Sequence, residues 1–352
     1  MVDVTGERMG DLVVFLGEGA AAEAERADAS SGPVGEGAAA EAERADAWSG
    51  PVGEGAAAEA ERADALSGTV GDEGAQRDPG APIPLTEARI SVADLAVTRG
   101  DGIFESIGVI DGRFIELERH LARLEHSAAL LELPRPDTAA FAEAARRGVA
   151  AHTRAPELLV KLFYSRGIEG KGIPSGWVEV LMGDDHRAAR STGIRVVTLD
   201  RGYRHDIAQT SPWLLQGAKT LSYALNKAAL REAARRGADD VIFVSTDDVV
   251  LEGPTSNVLV RHGNLFRTPR TDLGILAGTT QAAVFETLAS RGFETVEAAL
   301  SVADLASADA AWLLSSGRLV APVRELDGAS IPVDHDLTES LLAETFGVHP
   351  TP

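Results

Sequence analysis

Gly217-Ala218-Lys219-Thr220-Leu221-Ser222-Tyr223 is the stretch that decides the fold, because it places a lysine just before the helix predicted over Leu221 to Arg236. Farther along, the turn-like stretch Glu252-Gly253-Pro254-Thr255-Ser256-Asn257 supplies a carboxylate, and Gly278-Thr279-Thr280 precedes a second predicted helix. Pyridoxal 5'-phosphate needs an amine for its aldehyde, a carboxylate against its ring nitrogen and helix N-terminal donors for its phosphate. The sequence therefore predicts a site for this cofactor.

The chain has only four lysines, so each candidate for the reactive amine is weighed individually. Lys227 lies on the polar face of the predicted helix, and Lys171 lies between two glycines. Lys161 follows a strand pattern and can point into a cleft. A single lysine is most often a surface residue whose stem covers apolar neighbours. The acidic and phosphate-binding partners downstream favour Lys219.

Composition excludes several classes of protein. The 352 residues carry a formal net charge of −21, which argues against nucleic acid or an anionic membrane as a partner. No apolar run approaches the roughly 20 residues that a membrane span needs. The chain has no cysteine, which fits a cytoplasmic location, and its eight histidines are scattered, so no metal site is predicted. The length favours two domains.

Three near-identical copies of one Gly/Ala/Glu-rich unit stand near the N-terminus, over residues 17–34, 35–52 and 53–70. Their Ala/Glu/Arg centres favour helix but are too short to be stable alone, and they offer almost nothing large and apolar to bury. Residues 17–81 are therefore predicted to be an insert at the surface rather than a repeat domain. The insert separates a predicted strand, Leu12 to Leu16, from an apolar stretch at Ile90 to Val92, and interrupts a hairpin or an early strand connection.

Strands and helices alternate irregularly in the rest of the chain. Ile103 to Phe114 predicts a hairpin around Asp111-Gly112, followed by helices at Leu117 to Leu131 and Thr138 to Ala151. The order lacks the regular rhythm of a doubly wound sheet, so the fold class is α+β. The polar stretch 183–193 marks a boundary between an N-terminal domain, 1–192, and a C-terminal domain, 193–352.

In this order, the motifs resemble class IV aminotransferases, which are fold type IV of the pyridoxal phosphate enzymes. The resemblance covers roughly residues 86 to 330. It rests on the Lys219 and Glu252 stretches and on Arg99-Gly100-Asp101-Gly102-Ile103-Phe104-Glu105, His120-Leu121-Ala122-Arg123-Leu124, Thr268-Pro269 and Gly274-Ile275-Leu276-Ala277-Gly278-Thr279-Thr280. It implies a smaller N-terminal α/β domain, a larger C-terminal domain with a barrel-like β core and helices, and a homodimer with active sites between the domains.

The resemblance also implies a role for each candidate site residue. Lys219 binds the aldehyde of the cofactor and later moves the proton of the substrate carbon that bears the nitrogen. Glu252 keeps the ring nitrogen protonated, unless it is a structural acid in a turn. Arg123 clamps the phosphate together with Thr279 and Thr280, and its alternative is an exposed helix arginine.

Two further residues complete the cofactor-binding set that the resemblance implies. Ser316, in the stretch Ser315-Ser316-Gly317, occupies the place of another phosphate ligand. Tyr223 either donates a hydrogen bond to the ring oxygen of the cofactor or serves as a core aromatic.

The substrate is indicated by residues outside the cofactor set. Phe104-Glu105 is followed by Ser106-Ile107-Gly108 rather than Gly-x-Arg, which disfavours the branched-chain aminotransferases. The stretch from Ser165 to Gly172 resembles the basic loop of 4-amino-4-deoxychorismate lyases, and a dicarboxylate substrate needs such cations. The substrate candidates are therefore Arg166, Lys171, Arg99 (where the family has an aromatic residue) and Asn257.

The leading prediction is a lyase that converts 4-amino-4-deoxychorismate, a small-molecule amino substrate, into 4-aminobenzoate and pyruvate. Transamination of a D-amino acid, or less favourably of a branched-chain amino acid, is the alternative. A third hypothesis is an inactive homologue that acts as a binding protein through its repeats. It predicts that no cofactor binds.

Overall fold

The computed structural model describes residues 10–17 and 80–349, which form two β-sheets and their covering helices. The first sheet is antiparallel throughout, with the strand order β2-β1-β6-β5-β3-β4. Its strands are β1 (Leu12–Phe15), β2 (Ile83–Pro84), β3 (Gly102–Ile110), β4 (Arg113–Phe114), β5 (Glu157–Ser165) and β6 (Ser175–Met182). The helices of its half are α1 (Leu95–Thr98), α2 (Leu117–Leu130) and α3 (Thr138–Ala151).

Alternating side chains build the core of this first half. On β5, Leu158, Val160, Leu162 and Tyr164 are buried while the residues between them are partly exposed, as the period of two requires. Helices α2 and α3 contribute buried residues to the same apolar cluster. Helix α3 begins where the side chain of Asp137 accepts a hydrogen bond from the Ala140 N–H at 2.9 Å. The predicted hairpin and the predicted bounds of α3 are confirmed.

The N-terminal strand pairs with residues on the other side of the insert, as predicted. Leu12 and Val13 lie opposite Pro84 and Ile83 in an antiparallel pair, and the repeats between them lie outside the described residues. The expectation that the chain resumes this pairing at residues 90–92 is wrong. The partner strand comes earlier in the chain and lies at the edge of the sheet. Proline has no backbone N–H to donate, and an edge strand tolerates this at Pro84.

The second sheet has ten strands and nearly closes into a barrel. Its order is β12-β11-β10-β14-β15-β7-β8-β9-β13, with β16 beside β15. The end strands β12 and β13 are separated in the chain only by Ala299, so the two edges of the sheet are held close together. Its strands are β7 (Ile194–Asp200), β8 (Asp240–Val244), β9 (Val249–Val250), β10 (Asn257–His262), β11 (Leu265–Pro269), β12 (Glu294–Ala298), β13 (Leu300–Ser301), β14 (Ala310–Ser315), β15 (Leu319–Leu326) and β16 (Ala329–Ser330).

Most helices of this half contact the curved sheet. The helices of this half are α4 (Arg187–Ser191), α5 (Ile207–Thr210), α6 (Ala224–Arg235), α7 (Thr279–Ser290), α8 (Val302–Ala306) and α9 (His335–Phe346). Val284 and Leu288 of α7 and Leu341 of α9 pack against Trp312 and Leu259 in one buried cluster. The α+β class and the barrel-like core are confirmed, whereas the domain boundary at 192/193 stays a prediction. Among residues 10–17 and 80–349, no helix is both long enough and apolar enough to cross a membrane.

Candidate active site

Lys219 lies in an extended segment that pairs with strand β3. The Phe104 N–H donates to the Lys219 carbonyl at 3.0 Å, and the Leu221 N–H donates to the Gly102 carbonyl at 2.8 Å. Helix α6 therefore begins at Ala224, later than predicted, because the residues before it are engaged with β3. This pairing anchors the lysine backbone on a rigid strand of the first sheet.

The amine of Lys219 is held in an aromatic, half-buried environment. Its Nζ lies 4.4 Å from the ring centroid of Phe104 and 5.9 Å from that of Tyr223. Burial, assisted by the nearby charge of Arg123, lowers the pKa of Lys219 to about 8, although Glu105 and Glu252 oppose this shift. A substantial fraction of the amine is therefore neutral near physiological pH, as a nucleophile for an aldehyde requires.

Glu252 lies on the connection between β9 and β10 and is half-buried. Its Oε2 accepts a hydrogen bond from the Leu276 N–H at 3.1 Å. Burial raises the pKa of Glu252 to about 7, against the lowering effects of that N–H and of the charges on Lys219 and Arg201. Its carboxyl group can therefore share a proton with a basic nitrogen near neutral pH.

Arg123 lies on α2 in a nearly buried network of hydrogen bonds. Its Nε and Nη2 donate to the two carboxylate oxygens of Glu105, each at 2.8 Å, and its Nη1 donates to the Ala277 carbonyl at 2.7 Å. The alternative of an exposed helix arginine is therefore wrong, because only 9% of Arg123 is exposed. The guanidinium bridges the first sheet to the segment that precedes α7.

Three candidate phosphate ligands converge on His120. Its Nε2 lies 3.1 Å from the Thr279 hydroxyl and 3.3 Å from the Ser316 hydroxyl, while Arg123 lies one helical turn away on α2. Helix α7 begins at Thr279, whose hydroxyl lies beside His120, so the N–H groups of its first turn, which have no partner within the helix, lie near the same region. These donors are of the kind that bind a phosphate group.

Asn257 secures the segment between Glu252 and α7, and its role toward a substrate stays a prediction. It is buried, and its Nδ2 donates to the Leu276 carbonyl at 2.8 Å. A Cβ on Gly278 would lie 2.1 Å from Asn257 Oδ1, so the absence of a side chain at Gly278 permits this close packing. Asn257 thus positions the backbone that joins the two ends of the site.

Tyr223 contacts the same region through both its ring and its hydroxyl. The ring lies edge-on to Phe104 with centroids 5.3 Å apart, and the hydroxyl donates to the Pro254 carbonyl, which also accepts from Asn226. This contact ties the start of α6 to the Glu252 stretch. The role of Tyr223 toward the ring oxygen of a cofactor stays a prediction.

The structure does not bring the basic substrate candidates into the contacts around Lys219. Arg166 donates to Asp101 at 2.7 Å and to the Leu131 carbonyl at 2.8 Å. Arg99 follows α1 and is exposed, and Lys171 is exposed in the loop between β5 and β6. Their roles in substrate binding stay predictions.

Glu105 is the functional residue whose role sequence reasoning missed. It was quoted only as part of the motif with Phe104, yet it is completely buried and holds both Arg123 and His120. The available signal was a carboxylate on an otherwise apolar strand, followed by a helix with His120 and Arg123 three residues apart. A buried acid requires a cationic partner, and that helix supplies one.

The family model described as Amino-transferase class IV matches residues 102–326, which is more than half of the chain. The chain belongs to the class IV aminotransferase family. A bifunctional aminodeoxychorismate lyase / D-amino acid transaminase from Mycobacterium tuberculosis is 44% identical to it over 74% of this chain and 91% of the relative.

Solved structures agree with this membership. A fold IV transaminase from Curtobacterium pusillum is 56% identical with a TM-score of 0.73, and covers 75% of this chain and 92% of its own. A hypothetical aminotransferase from Mycobacterium tuberculosis in its PLP-bound form is 42% identical with a TM-score of 0.72, over 76% and 96% of the two chains. The 4-amino-4-deoxychorismate lyase of Pseudomonas aeruginosa is 27% identical with a TM-score of 0.64, over 74% and 97%.

This chain is therefore a pyridoxal phosphate enzyme of the lyase or transaminase type that acts on a small molecule. The residues present fit the cofactor. The site holds an amine with a lowered pKa at Lys219, a half-buried carboxyl at Glu252, and N–H and hydroxyl donors around Arg123 and Thr279. The hypothesis of an inactive binding protein is not supported, because none of these three elements is missing.

Proposed function

We propose that this enzyme is a 4-amino-4-deoxychorismate lyase that also transaminates D-amino acids. The relative that is 44% identical over most of both chains carries both activities in its name. The basic stretch from Ser165 to Gly172 supports the lyase, and the 56% identical transaminase structure supports the second activity. Branched-chain transamination is disfavoured by the sequence that follows Glu105.

The observation that carries the proposal is that Lys219 and Glu252 lie in the same half-buried site and influence each other through their charges. Their pKa values, about 8 and about 7, both lie close to neutrality because burial disfavours each charge. Lys219 can therefore accept and return a proton at the substrate carbon bearing the nitrogen. Glu252 holds a proton on the ring nitrogen, and the bound cofactor supplies an electron sink for the resulting carbanion.

Both reactions begin with the same proton transfer to Lys219 and differ in the bond that breaks next. In the lyase reaction, the C–O bond to the enolpyruvyl group breaks, pyruvate leaves and the ring becomes the aromatic 4-aminobenzoate. In transamination, Lys219 would move the proton away from the substrate carbon, water would release the keto acid, and the amino group would stay with the cofactor until a second keto acid takes it up. One base serves both outcomes, so the substrate determines which one follows.

Arg123, Thr279, Thr280 and Ser316 would hold the phosphate of the cofactor through the donors that surround His120. The bidentate pairing with Glu105 still leaves one N–H on each terminal nitrogen of Arg123 for this task. These residues would position the cofactor for the proposed reactions.

The enzyme is further proposed to be a cytoplasmic homodimer. Several large apolar side chains are exposed in the single chain, among them Val92 at 82% and Trp213 at 72%, which favours burial against a second copy. Light scattering of the purified protein tests the dimer, and a monomeric mass at all concentrations would refute it.

The deciding experiment supplies 4-amino-4-deoxychorismate to the cofactor-loaded protein and measures 4-aminobenzoate and pyruvate. Separate reactions with D-alanine and 2-oxoglutarate measure pyruvate and glutamate. Equimolar 4-aminobenzoate and pyruvate establish the lyase, and keto acid formed in the second reaction establishes the transaminase. Failure of either reaction removes that half of the proposal.

Matched lysine variants test the assignment of the base. Lys219→Ala is expected to lower both rates by about 10⁴-fold, because it removes the nucleophile and the base together. Lys227→Ala, at an exposed position on α6, is expected to leave both rates unchanged. Retained activity in Lys219→Ala would refute the site.

A further inference from the structure

Glu105 is a completely buried carboxylate with both oxygens engaged. Oε1 accepts from Arg123 Nε at 2.8 Å, and Oε2 accepts from Arg123 Nη2 at 2.8 Å and lies 2.7 Å from His120 Nδ1. Although burial alone would raise it, the charge and hydrogen bonds of Arg123 and His120 lower the pKa of Glu105 to about 2. Glu105 is therefore a permanent anion inside the protein.

This anion fixes the orientation of the Arg123 guanidinium. Two parallel hydrogen bonds to one carboxylate define the plane of the group, and the third, from Nη1 to the Ala277 carbonyl, sets its rotation within that plane. Arginine has five N–H donors, so two remain unused by these contacts. Glu105 therefore sets the direction of these two unused N–H groups, although it bonds to other N–H groups of the guanidinium.

The same carboxylate determines which nitrogen of His120 carries a proton. An ionised Oε2 at 2.7 Å requires a donor, so Nδ1 is protonated. Burial lowers the pKa of His120, so the ring is neutral near pH 7 and Nε2 is an acceptor. Nε2 faces the hydroxyls of Thr279 and Ser316, one on α7 and one in the turn between β14 and β15.

Glu105 thus contacts both Arg123 and His120, and His120 lies beside the Thr279 and Ser316 hydroxyls. A hydroxyl that donates to His120 Nε2 has no proton left for a phosphate, so the unused N–H groups of Arg123 are the donors that Glu105 directs. We propose that Glu105 is a positioning residue for the cofactor phosphate, which acts by orienting Arg123. The inference concerns cofactor binding alone. It therefore holds for the lyase and the transaminase alike.

The test compares two aldehydes that differ only in the phosphate. Apoprotein is titrated with pyridoxal 5'-phosphate and with pyridoxal, and the visible absorbance of the lysine-bound compound gives each Kd without turnover. In Glu105→Gln, the new amide places a donor against Arg123 or His120. We expect the Kd for pyridoxal 5'-phosphate to rise about 10- to 100-fold and that for pyridoxal to change less than about 3-fold, as loss of hydrogen bonds to a charged group predicts.

Asp304→Asn is the matched control, because it makes the same carboxylate-to-amide change in an Arg267 pair between β11 and α8. Both Kd values should match those of the parent protein. An unchanged ratio of the two Kd values in Glu105→Gln would overturn the proposal, whether both stay constant or both rise alike.

A second variant covers the case in which Glu105→Gln does not fold. Glu105→Asp keeps the charge but withdraws the carboxylate from Arg123 by one methylene, so the Kd for pyridoxal 5'-phosphate should still rise relative to that for pyridoxal, by about 3-fold or more. A folded Glu105→Asp with an unchanged ratio refutes the positioning role. Because no reaction is measured, these results are independent of the lyase and transaminase assays.

Discussion

Glu105 and Glu252 are two glutamates withdrawn from solvent at opposite ends of one site, yet their pKa values move in opposite directions. The pKa of Glu105 falls to about 2, and that of Glu252 rises to about 7. Burial raises the pKa of both carboxyls. The difference is that Glu105 faces a bidentate guanidinium at 2.8 Å, whereas the Glu252 side chain accepts a hydrogen bond from a backbone N–H at 3.1 Å.

This contrast separates a residue that holds structure from one that takes part in chemistry. A carboxylate in a bidentate ion pair keeps its charge over the whole physiological pH range and fixes the orientation of its partners. A desolvated carboxyl with few partners titrates near neutrality and can exchange a proton with a bound ring nitrogen. The first kind of site supports positioning, and the second supports proton transfer.

The largest expected effect distinguishes the two glutamates in turnover. At saturating cofactor, Glu252→Gln should lower kcat by about 10²- to 10³-fold, because the electrostatic support of the ring nitrogen is lost. Glu105→Gln should stay within about 3-fold of the parent once the cofactor is saturating, since its role is in binding. Steady-state rates of 4-aminobenzoate and keto acid formation check both values. Equal losses in kcat would remove the distinction.

A second prediction concerns the stability of the apoproteins, measured by urea unfolding at several pH values. Glu105 has a folded pKa of about 2, so its stabilisation is complete above the ordinary glutamate pKa of 4.5 and is lost as the pH falls toward 2. Near pH 7, Glu105→Gln should therefore cost about 3 kcal/mol, as expected when a buried ion pair loses one partner.

Glu252 should show the opposite pH dependence. Its folded pKa of about 7 lies above the ordinary glutamate pKa of 4.5, so its ionisation destabilises the folded state progressively as the pH rises between these values. Glu252→Gln removes this penalty and should gain stability relative to the parent protein over that interval, by up to about 3 kcal/mol. A parallel pH dependence in the two proteins would contradict the shifted pKa.

The smallest expected effect tests the backbone that joins the two ends. Gly278→Ala places a Cβ 2.1 Å from Asn257 Oδ1, and such overpacking costs about 1–3 kcal/mol. The Kd for pyridoxal 5'-phosphate should rise about 10-fold, and adding Asn257→Ala should recover part of the loss. Gly317→Ala is the matched control, since its Cβ meets only the end of the His186 side chain, at 3.3 Å. An unperturbed Gly278→Ala would show that the segment is free to move.

Local signals in the sequence predicted the elements whose causes are local. Helix α3 has its predicted bounds, and its start is fixed by a local cause, because the neighbouring Asp137 caps it. The hairpin was predicted because Asp111-Gly112 supplies the turn, and both of its central residues have positive φ. The late start of α6 was missed, because it depends on pairing between Lys219 and a strand more than a hundred residues earlier.

In the candidate site too, the sequence predicted the kinds of residue but not their contacts. The types and order of Lys219, Glu252, Arg123 and Thr279 were sufficient to predict the family and the cofactor, and both are confirmed. The structure places Asn257 against the Leu276 carbonyl, and its assignment to the substrate stays a prediction. A side-chain amide in a turn gives no indication in the sequence of which carbonyl it contacts.

By itself, the sequence determined which reactive side chains this enzyme has and in what order they occur along the chain. The tertiary structure alone decided that one glutamate is a fixed anion and the other titrates near pH 7. The reason is physical: a pKa depends on burial and on the distance to other charges. The charged partners of Glu105 lie on helix α2, and those of Glu252 lie on several segments of the chain. Only the folded arrangement therefore sets their effect.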